Sequence, residues 1–311
     1  MVVVVSTGGT IAMRPEPGTG KLVPATTAEE LLETLAWPDA PPLTLDDFVS
    51  VPSFDMHGAL ALSLGRRVLE HGAPTVVTHG TDTMEESVYL VDRLLAEDAA
   101  PVAFTGAQRA ADAPDRDGPR NLRDAIRVAA APEARGRGAL VVFGGEIHAA
   151  REVRKVHTSA LRAFASPGWG PIGKVDEERV VFARRPERRP PLPAPDELVP
   201  VDLIRLYAGS DARFLRASVA AGARGIVLEC TGRGNANEQV VDGVREAVAA
   251  GVAVIVCSRC AEGRVEPVYG RGGGRDLADA GAVFAGDLAG PKARVLLQLA
   301  GGDAGVLAAE G

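Results

Sequence analysis

Short β-branched runs alternate with helix-like patterns along this chain, and that alternation constrains the fold more than any other feature. Each run is apolar at consecutive positions, so both faces of each strand are expected to be buried. Such strands, separated by helices, predict a parallel sheet covered on both sides and doubly wound by right-handed crossovers. The predicted strands are Val2–Val5, Phe48–Val51, Thr75–Thr78, Val102–Thr105 and Leu140–Phe143, and the predicted helices lie near 27–36, 57–71, 83–97 and 120–131.

A proline-rich segment divides the chain. Residues 184–200 hold six prolines in seventeen positions, a composition that favours an extended, exposed segment and excludes a central strand. The sequence therefore predicts two doubly wound α/β domains. These are a larger N-terminal parallel-sheet catalytic domain over 1–183, a Pro/Arg-rich solvated linker over 184–200 and a smaller C-terminal α/β domain over 201–311. The C-terminal strands are predicted at Ile204–Tyr207, Gly225–Glu229 and Val252–Cys257.

Charge and hydropathy exclude several classes of partner. The chain carries 34 basic and 41 acidic residues, a net charge of −7, which argues against nucleic acid and anionic membranes. The opening MVVVVSTGGT lacks the charged start and the ~7–15 apolar residues of a signal peptide. No stretch approaches the ~18 apolar residues of a membrane span. Together with an odd number of cysteines, which fits reduced thiols, these features predict a cytoplasmic protein.

Sites for metals and cofactors lack their usual signatures. No Gly-x-Gly-x-x-Gly or Gly-Lys-Ser/Thr loop follows the first strand, although Ser6–Thr10 could still bind an anion. His79 and Asp82 alone are too few for a zinc site. Cys257-Ser-Arg-Cys260 has the spacing of a redox motif but no second Cys or His pair, so ordinary thiols are favoured. We therefore expect neither a metal nor a cofactor.

Polar residues follow four of the predicted strands where each strand ends. Ligands of open α/β sheets bind outside the carboxyl ends of the strands, so these residues are expected to converge. Hydroxyls, a carboxylate and glycines suit nucleophilic attack by a hydroxyl that is helped by a base and by an oxyanion hole. The four segments are Ser6–Thr10, Pro52–Asp55, Thr78–Thr83 and Gly106–Gln108.

Lysine is rare in this chain, and one lysine has a chemical interpretation. Only four of the 34 basic residues are lysine, and arginine is the default cation even within the segment 151–155. Arginine keeps its proton in proteins, whereas a desolvated lysine can lose it. Lys155 is thus a candidate relay base, and an exposed lysine at a strand end is the alternative interpretation.

Two motifs resemble the signatures of the bacterial-type L-asparaginase family, and they occur in the order typical of that family. They are Thr7-Gly-Gly-Thr-Ile-Ala12 and Thr78-His-Gly-Thr-Asp-Thr-Met-Glu-Glu86. Further similarity spans nearly the whole chain. It includes Gly106-Ala-Gln-Arg109, Asp117-Gly-Pro-Arg-Asn-Leu122, Gly234-Asn-Ala-Asn237 and Pro291-Lys-Ala-Arg-Val-Leu-Leu-Gln-Leu299.

The resemblance implies a two-step hydrolysis of asparagine to aspartate and ammonia without metal or cofactor. Thr10 matches the nucleophile that forms an acyl-enzyme. Thr81, Asp82 and Lys155 match a second catalytic group, in which Lys155 and Asp82 polarise Thr81 so that it can handle the proton of Thr10 or of water. His79 then has a structural role, because its neighbours match the catalytic group and its imidazole does not.

The resemblance also implies substrate contacts and an oligomer. Ser53 and Asp82 match residues that hold the α-carboxylate and α-ammonium groups of the amino acid. Ala107 matches a backbone contact to the leaving amide. Asn237, or less securely Asn235, matches a residue lent by a neighbouring subunit, which implies a homodimer or homotetramer.

Two departures from the family pattern leave alternatives open. The loop 13–26, expected to act as a lid, lacks the usual tyrosine, and Lys21 or Leu22 stands near its place. Phe54 follows Ser53 where many members carry glutamine. A glutaminase or other small-amide hydrolase, a weakened amino-acid-binding homologue and an amidotransferase subunit are therefore alternatives.

Overall fold

Residues 1–24, 27–33, 35 and 37–309 are described by a computed structural model, in which the chain divides into two units, Met1–Pro191 and Leu192–Gly311. The boundary falls inside the proline-rich segment 184–200. Within the described residues, no helix is both long enough and apolar enough to cross a membrane.

The N-terminal unit contains all five strands predicted for it. Its helices are α1 (Ala28–Glu33), α2 (Gly58–His71), α3 (Met84–Leu94) and α4 (Gly118–Ala130). Its strands are β1 (Val2–Gly8), β2 (Met13–Pro15), β3 (Leu22–Pro24), β4 (Leu43–Val51), β5 (Thr75–Thr78), β6 (Val102–Thr105), β7 (Ala139–Phe143), β8 (Glu146–Ala149), β9 (Arg154–Lys155), β10 (Phe164–Ala165), β11 (Gly173–Asp176) and β12 (Arg179–Phe182).

The main sheet is mixed rather than parallel throughout. Its strand order is β12-β11-β8-β7-β6-β5-β1-β4. Five neighbouring strands of this sheet, β4, β1, β5, β6 and β7, pair in parallel, as predicted. The strands β8, β11 and β12 extend the sheet in antiparallel fashion. The antiparallel part starts at the two-residue turn Gly144-Gly145, where φ is 59° and 81°. A tight hairpin needs positive φ at both turn positions, which glycine supplies without strain.

The apolar runs are buried on both faces because helices cover both sides of the sheet. Val2 and Val4 of β1 belong to one core cluster, with Leu122 and Ile126 of α4. Val3 and Val5 belong to the cluster on the opposite face, which includes residues of α2 and α3. Side chains of a strand alternate between faces, so a continuous valine run requires a core on each side.

The start of α1 shows how local sequence directs a helix. The Thr27 backbone N–H donates to Glu30 Oε2 (3.1 Å), and the Glu30 N–H donates to Thr27 Oγ1 (3.2 Å). This reciprocal pair is the capping box expected from the sequence. Part of the predicted helix 27–36 lies outside the described residues.

The strand order places a switch point between β1 and β5. From β1 the chain adds β4 on one side, and from β4 it returns to add β5 on the other side of β1. A crevice opens at the carboxyl ends of the two strands where the direction of winding reverses, and ligands of doubly wound sheets bind there.

Arginines attach residues 184–191 to the N-terminal unit, although the sequence predicted a solvated linker. Arg188 donates from Nη1 to the carbonyls of Ala96 (2.8 Å) and Glu97 (3.2 Å). It donates from Nη2 to the carbonyls of Asp92 (3.3 Å) and Leu95 (2.9 Å). Asp92 lies in the last turn of α3 and the other three residues follow that turn, so one guanidinium caps the C-terminal end of the helix. The division into domain, linker and domain over 1–183, 184–200 and 201–311 stays a prediction.

The C-terminal unit is a smaller parallel α/β layer structure, as predicted. Helices lie on both faces of its sheet: α8 packs against β13 and β14, while residues of α5, α6 and α7 join a core cluster with β14 and β15. The sheet order is β13-β14-β15-β16 and all pairs are parallel. The elements are β13 (Val201–Arg205), α5 (Arg213–Ala220), β14 (Gly225–Cys230), α6 (Glu238–Ala249), β15 (Ala253–Ser258), α7 (Gly274–Asp279), β16 (Val283–Phe284) and α8 (Gly290–Leu299).

Replacing Arg188 by methionine is expected to lower the free energy of unfolding of the N-terminal unit by about 2–3 kcal/mol, because carbonyls that it serves lose a charged donor. Both tryptophans, Trp37 and Trp169, lie in this unit, so urea unfolding followed by tryptophan fluorescence reports on it alone. Arg162→Met, which removes an exposed arginine that pairs with Glu146 in the same unit, is the matched control and should change little. Equal stability of the two variants would contradict the capping role.

Candidate active site

The turn after β1 lies against the turn after β5. Gly9 has φ 83° and ψ 179°, a conformation open to glycine almost alone. A Cβ on Gly9 would lie 2.4 Å from the backbone N of Gly80 and 2.5 Å from its Cα. The two backbones are therefore in contact without room for a side chain. Thr10 follows at once, partly exposed, at the start of a 3₁₀ turn whose other residues are buried.

The turn after β5 carries Thr81 and Asp82 and is held in place by Ser53. Ser53 follows β4 and is buried, and its Oγ accepts the Asp82 backbone N–H at 3.1 Å. Thr83, just before α3, donates from Oγ1 to the Ser53 carbonyl at 2.6 Å. Ser53, which the sequence placed at the end of β4, thus contacts the turn after β5.

Lys155 joins this turn from β9. Its Nζ lies 2.8 Å from Thr81 Oγ1 and 2.6 Å from Asp82 Oδ1. The Lys155 side chain is 14% exposed and that of Asp82 is 58% exposed, so the ion pair lies at the protein surface and not in the core. The structure brings together Thr81, Asp82 and Lys155, which the sequence assigned to one group. The interpretation of Lys155 as a merely exposed strand-end lysine does not fit these contacts.

Ala107 lies in a loop that Asp117 and Asn121 organise. The Asp117 carboxylate accepts the backbone N–H groups of Gln108 and Arg109 at 3.1 Å each. Asn121 of α4 donates to the Gly106 carbonyl at 3.0 Å and accepts from the Gly144 N–H at 3.1 Å. Ala107 itself is buried.

The start of α4 ties this loop to the neighbourhood of Thr10. A Cβ on Gly118 would lie 2.8 Å from Ile11 Cγ1 and 3.4 Å from the Ala107 Cβ. Sequence reasoning noticed the segment 117–122 only as a resemblance and assigned it no role. The signal that could have revealed the role of Asp117 was its position three residues before the predicted helix 120–131, in the segment that follows the turn after β6.

His79 is a structural residue of this site, as expected. It is fully buried, and burial lowers the pKa of its imidazole to about 4, so the ring is neutral at pH 7. A neutral ring can donate from Nδ1, which lies 2.6 Å from the Gly80 carbonyl oxygen. That bond braces the residue against which Gly9 packs.

The loop after Thr10 forms a strand pair. β2 pairs with β3 in antiparallel register, and Thr19 donates to Glu16 within the connecting turn. In the described part of the chain, no residue forms a hydrogen bond with the Thr10 hydroxyl. Residues 25 and 26 of the predicted lid segment 13–26 lie outside the described residues.

Asn237 belongs to the C-terminal unit, where its side chain has local partners. Its Oδ1 accepts the Val240 N–H at 3.0 Å, so Asn237 is the N-cap of α6, and its Nδ2 donates to the Ser210 carbonyl at 2.7 Å. Asn235 Oδ1 accepts the Gly274 N–H at 3.0 Å. Both asparagines therefore shape their own loop, whatever else they contact.

Cys257 and Cys260 lie in different environments. Cys257 is buried in β15, whereas Cys260 is exposed, and neither is in a disulfide. Burial raises the pKa of the Cys230 and Cys257 thiols, which disfavours the reactive thiolate. Among the described residues, no group of three His, Cys, Asp or Glu side chains could hold a metal ion.

The fold and this site define a two-domain α/β protein with a hydroxyl-rich cluster and a lysine at the switch point of its larger sheet. Residues 1–188 match the family profile described as Asparaginase, N-terminal, and residues 200–305 match the Glutaminase/Asparaginase C-terminal domain. The chain belongs to this asparaginase family.

Relatives and a solved structure agree with that membership over nearly the full length. The chain is 35% identical over 308 residues to an L-asparaginase of Bacillus licheniformis, covering 95% of this chain and 94% of the relative. It is 38% identical over 300 residues to a probable L-asparaginase of Deinococcus radiodurans, covering 94% and 90%. The crystal structure of a probable cytoplasmic L-asparaginase from Campylobacter jejuni superposes with a TM-score of 0.86 at 29% identity, covering 96% and 94%.

Replacing Gly9 by alanine is expected to destabilise the N-terminal unit by more than the about 1–3 kcal/mol cost of a strained backbone, because the new Cβ also collides with Gly80. Gly18→Ala is the matched control, since Gly18 has φ 89° and a Cβ added there would meet nothing within 4 Å. Tryptophan fluorescence during urea unfolding measures both. If the two variants lost the same stability, the contact between the turns would be wrong.

Proposed function

We propose that this chain is an L-asparaginase that hydrolyses L-asparagine to L-aspartate and ammonia through an acyl-threonine intermediate. The observation that carries the proposal is the contact of the Lys155 Nζ with both Thr81 and Asp82, in a turn that lies against the glycine turn before Thr10. An L-asparaginase and a probable L-asparaginase among its relatives match nearly the whole chain.

In the first step Thr10 is the nucleophile. Its Oγ1 attacks the side-chain amide carbon of asparagine, the C–N bond breaks, and the nitrogen leaves as ammonia with the proton that Thr10 gives up. An ester of Thr10 remains. In the second step a water attacks this ester, the ester C–O bond breaks, aspartate forms and the proton returns to Thr10. A hydroxyl needs a proton acceptor for such chemistry, and the Thr10 hydroxyl is not committed to any described residue.

Thr81 and Lys155 form the proton relay in this proposal. Thr81 takes the proton of Thr10 or of water, and Lys155 Nζ acts as the base that receives the proton of Thr81. The 2.8 Å separation serves this transfer in either direction. Asp82 holds Nζ from the other side at 2.6 Å, so the amine stays aimed at Thr81. An arginine in the same place would keep its protons.

Ser53, Asp82 and Ala107 bind the substrate. Ser53 Oγ accepts the Asp82 N–H, so its own hydrogen is available to the α-carboxylate. Asp82 binds Nζ through Oδ1, which leaves Oδ2 for the α-ammonium. The Ala107 backbone, in the loop fixed by Asp117, contacts the leaving amide.

Assembly and location are inferences from the family. We infer a homodimer or homotetramer in which Asn237 contacts a neighbouring subunit's site. Its side chain already bonds Val240 and Ser210, and the second Nδ2 hydrogen and the second Oδ1 lone pair remain for that contact. Light scattering would measure the oligomer. A cytoplasmic location is supported by the free cysteines and by the similar Campylobacter jejuni protein, which is described as cytoplasmic.

Glutamine is the second candidate substrate, because the matching C-terminal family is described as Glutaminase/Asparaginase and Phe54 takes a place often held by glutamine. Phe54 follows Ser53 and its side chain is largely exposed, so it can change the pocket around the α-carboxylate without disturbing the core. Initial rates of ammonia release from asparagine and from glutamine decide between them. Tight aspartate binding without turnover of either amide would instead favour a binding protein.

Replacing Thr10 by alanine is expected to lower kcat by about 10³-fold or more, since no other group can form the ester. Fold and stability should be retained because Thr10 is partly exposed and its hydroxyl has no described partner. Ammonia release from asparagine is the measurement, and Ser63→Ala, which removes a hydroxyl bonded only to the Ala59 carbonyl of α2, is the control. Undiminished ammonia release by the Thr10 variant would rule the mechanism out.

Replacing Lys155 by methionine is expected to lower kcat by about 10²–10⁴-fold, because Thr81 loses its proton partner. Lys155→Arg places a cation at the same position that can neither lose nor accept a proton, so it should be nearly as slow. Lys174→Met, at an exposed lysine paired with Asp176, is the matched control and should keep the wild-type rate. A fully active Lys155→Arg variant would show that charge alone suffices and that no relay through lysine operates.

A further inference from the structure

Glu85 contacts Lys155 through its backbone. Glu85 Oε2 accepts the Lys155 backbone N–H at 2.6 Å, a short bond typical of a charged acceptor. Glu85 lies in the first turn of α3, where a carboxylate also interacts favourably with the helix dipole. Thr81, four residues earlier, binds the other end of the same lysine.

Lys155 lies in a two-residue strand that has few backbone hydrogen bonds of its own. β9 has two residues, and within the described residues it pairs with β10 alone, with Lys155 opposite Phe164. The Val156 N–H donates to the Ala163 carbonyl at 2.8 Å. Because successive N–H groups of a strand point to opposite sides, the Lys155 N–H points away from β10. The Glu85 carboxylate thus takes the place of the missing neighbouring strand.

Lys155 is therefore attached to one short segment, 81–85, at both ends. Its backbone is bound by Glu85, and its Nζ lies within hydrogen-bond distance of Thr81 and Asp82. A lysine side chain has many rotamers, and fixing the backbone limits the volume that Nζ can explore. Without Glu85, the contacts that would still hold Nζ, among the described residues, are those with the exposed Asp82 and the buried Thr81.

We propose that Glu85 is a positioning residue, which fixes the Lys155 backbone to α3 and so keeps Nζ within hydrogen-bond reach of Thr81. This inference rests on the proposed function. Glu85 acts through Lys155 and has no contact with the reacting atoms. The chain just before β9 has its own attachment, because Arg184 binds Glu152 through two hydrogen bonds. Loss of Glu85 should therefore loosen Lys155 without unfolding the unit.

Kinetics on asparagine test this role with three variants. Glu85→Ala should lower kcat by about 10–100-fold with KM nearly unchanged, because a misplaced reacting group costs turnover more than binding. Glu85→Gln should stay within about 5-fold of wild type, since the amide oxygen can accept the same N–H. Asp303→Ala is the control, because Asp303 also accepts a backbone N–H, that of Gly305, but in the C-terminal unit. An unchanged kcat in Glu85→Ala would overturn the proposal.

Lysine acetylation gives a second measurement that needs no enzymatic activity. The chain has only four lysines, so peptide mass spectrometry can follow Lys155 and use the exposed Lys174 as an internal reference. The acetylation rate of Lys155 relative to Lys174 should rise several-fold in Glu85→Ala and stay near wild type in Glu85→Gln. A ratio that does not change in Glu85→Ala would overturn the proposal even if kcat fell.

The two measurements separate this inference from the proposed function. If the wild-type protein released no ammonia from asparagine, the proposed function would fail while the acetylation ratio still tested the contact. If Glu85→Ala lost its fold by tryptophan fluorescence, Glu85→Asp replaces it. That variant keeps the charge but withdraws the carboxylate by one methylene, so a smaller loss of kcat and a smaller rise in acetylation are expected.

Discussion

The contact between the backbone at Gly9 and the backbone at Gly80 is the constraint on which the rest of the site depends. Only where neither turn carries an intervening side chain can the ends of β1 and β5 approach so closely. This contact places Thr10 beside the turn that carries Thr81 and Asp82. The adjacent histidine, neutral because it is buried, braces the same turn through the Gly80 carbonyl.

Around this contact, the site is assembled from the carboxyl ends of several strands, each fixed by a different device. Ser53 attaches the end of β4 to the turn after β5. Asp117 and Asn121 attach the loop after β6 to α4. Lys155 comes from a short hairpin and depends on side chains of the segment 81–85. The site thus gathers groups from five separate stretches of chain at one edge of a doubly wound sheet.

Much of the frame could be predicted because the periodicity of β-branched runs is a local property. The strands Thr75–Thr78 and Val102–Thr105 were predicted with their observed bounds. The five neighbouring strands β4, β1, β5, β6 and β7 pair in parallel, as expected. The antiparallel extension was not predicted, although Gly144-Gly145 between two apolar runs is a hairpin signal. The attachment of Arg188 was not predicted, because the carbonyls that it binds lie at and just after the end of α3, some ninety residues earlier.

By itself, the sequence determined which segments become strands, which side chains follow them, and the family to which the motifs point. It did so because these features depend on neighbours in the chain. The tertiary structure alone decided that Glu85 binds the backbone of Lys155 and that Asn237 donates to the Ser210 carbonyl. Such contacts join residues that are distant in sequence or choose one among several acceptors. Their partners are selected by packing geometry, which no local pattern encodes.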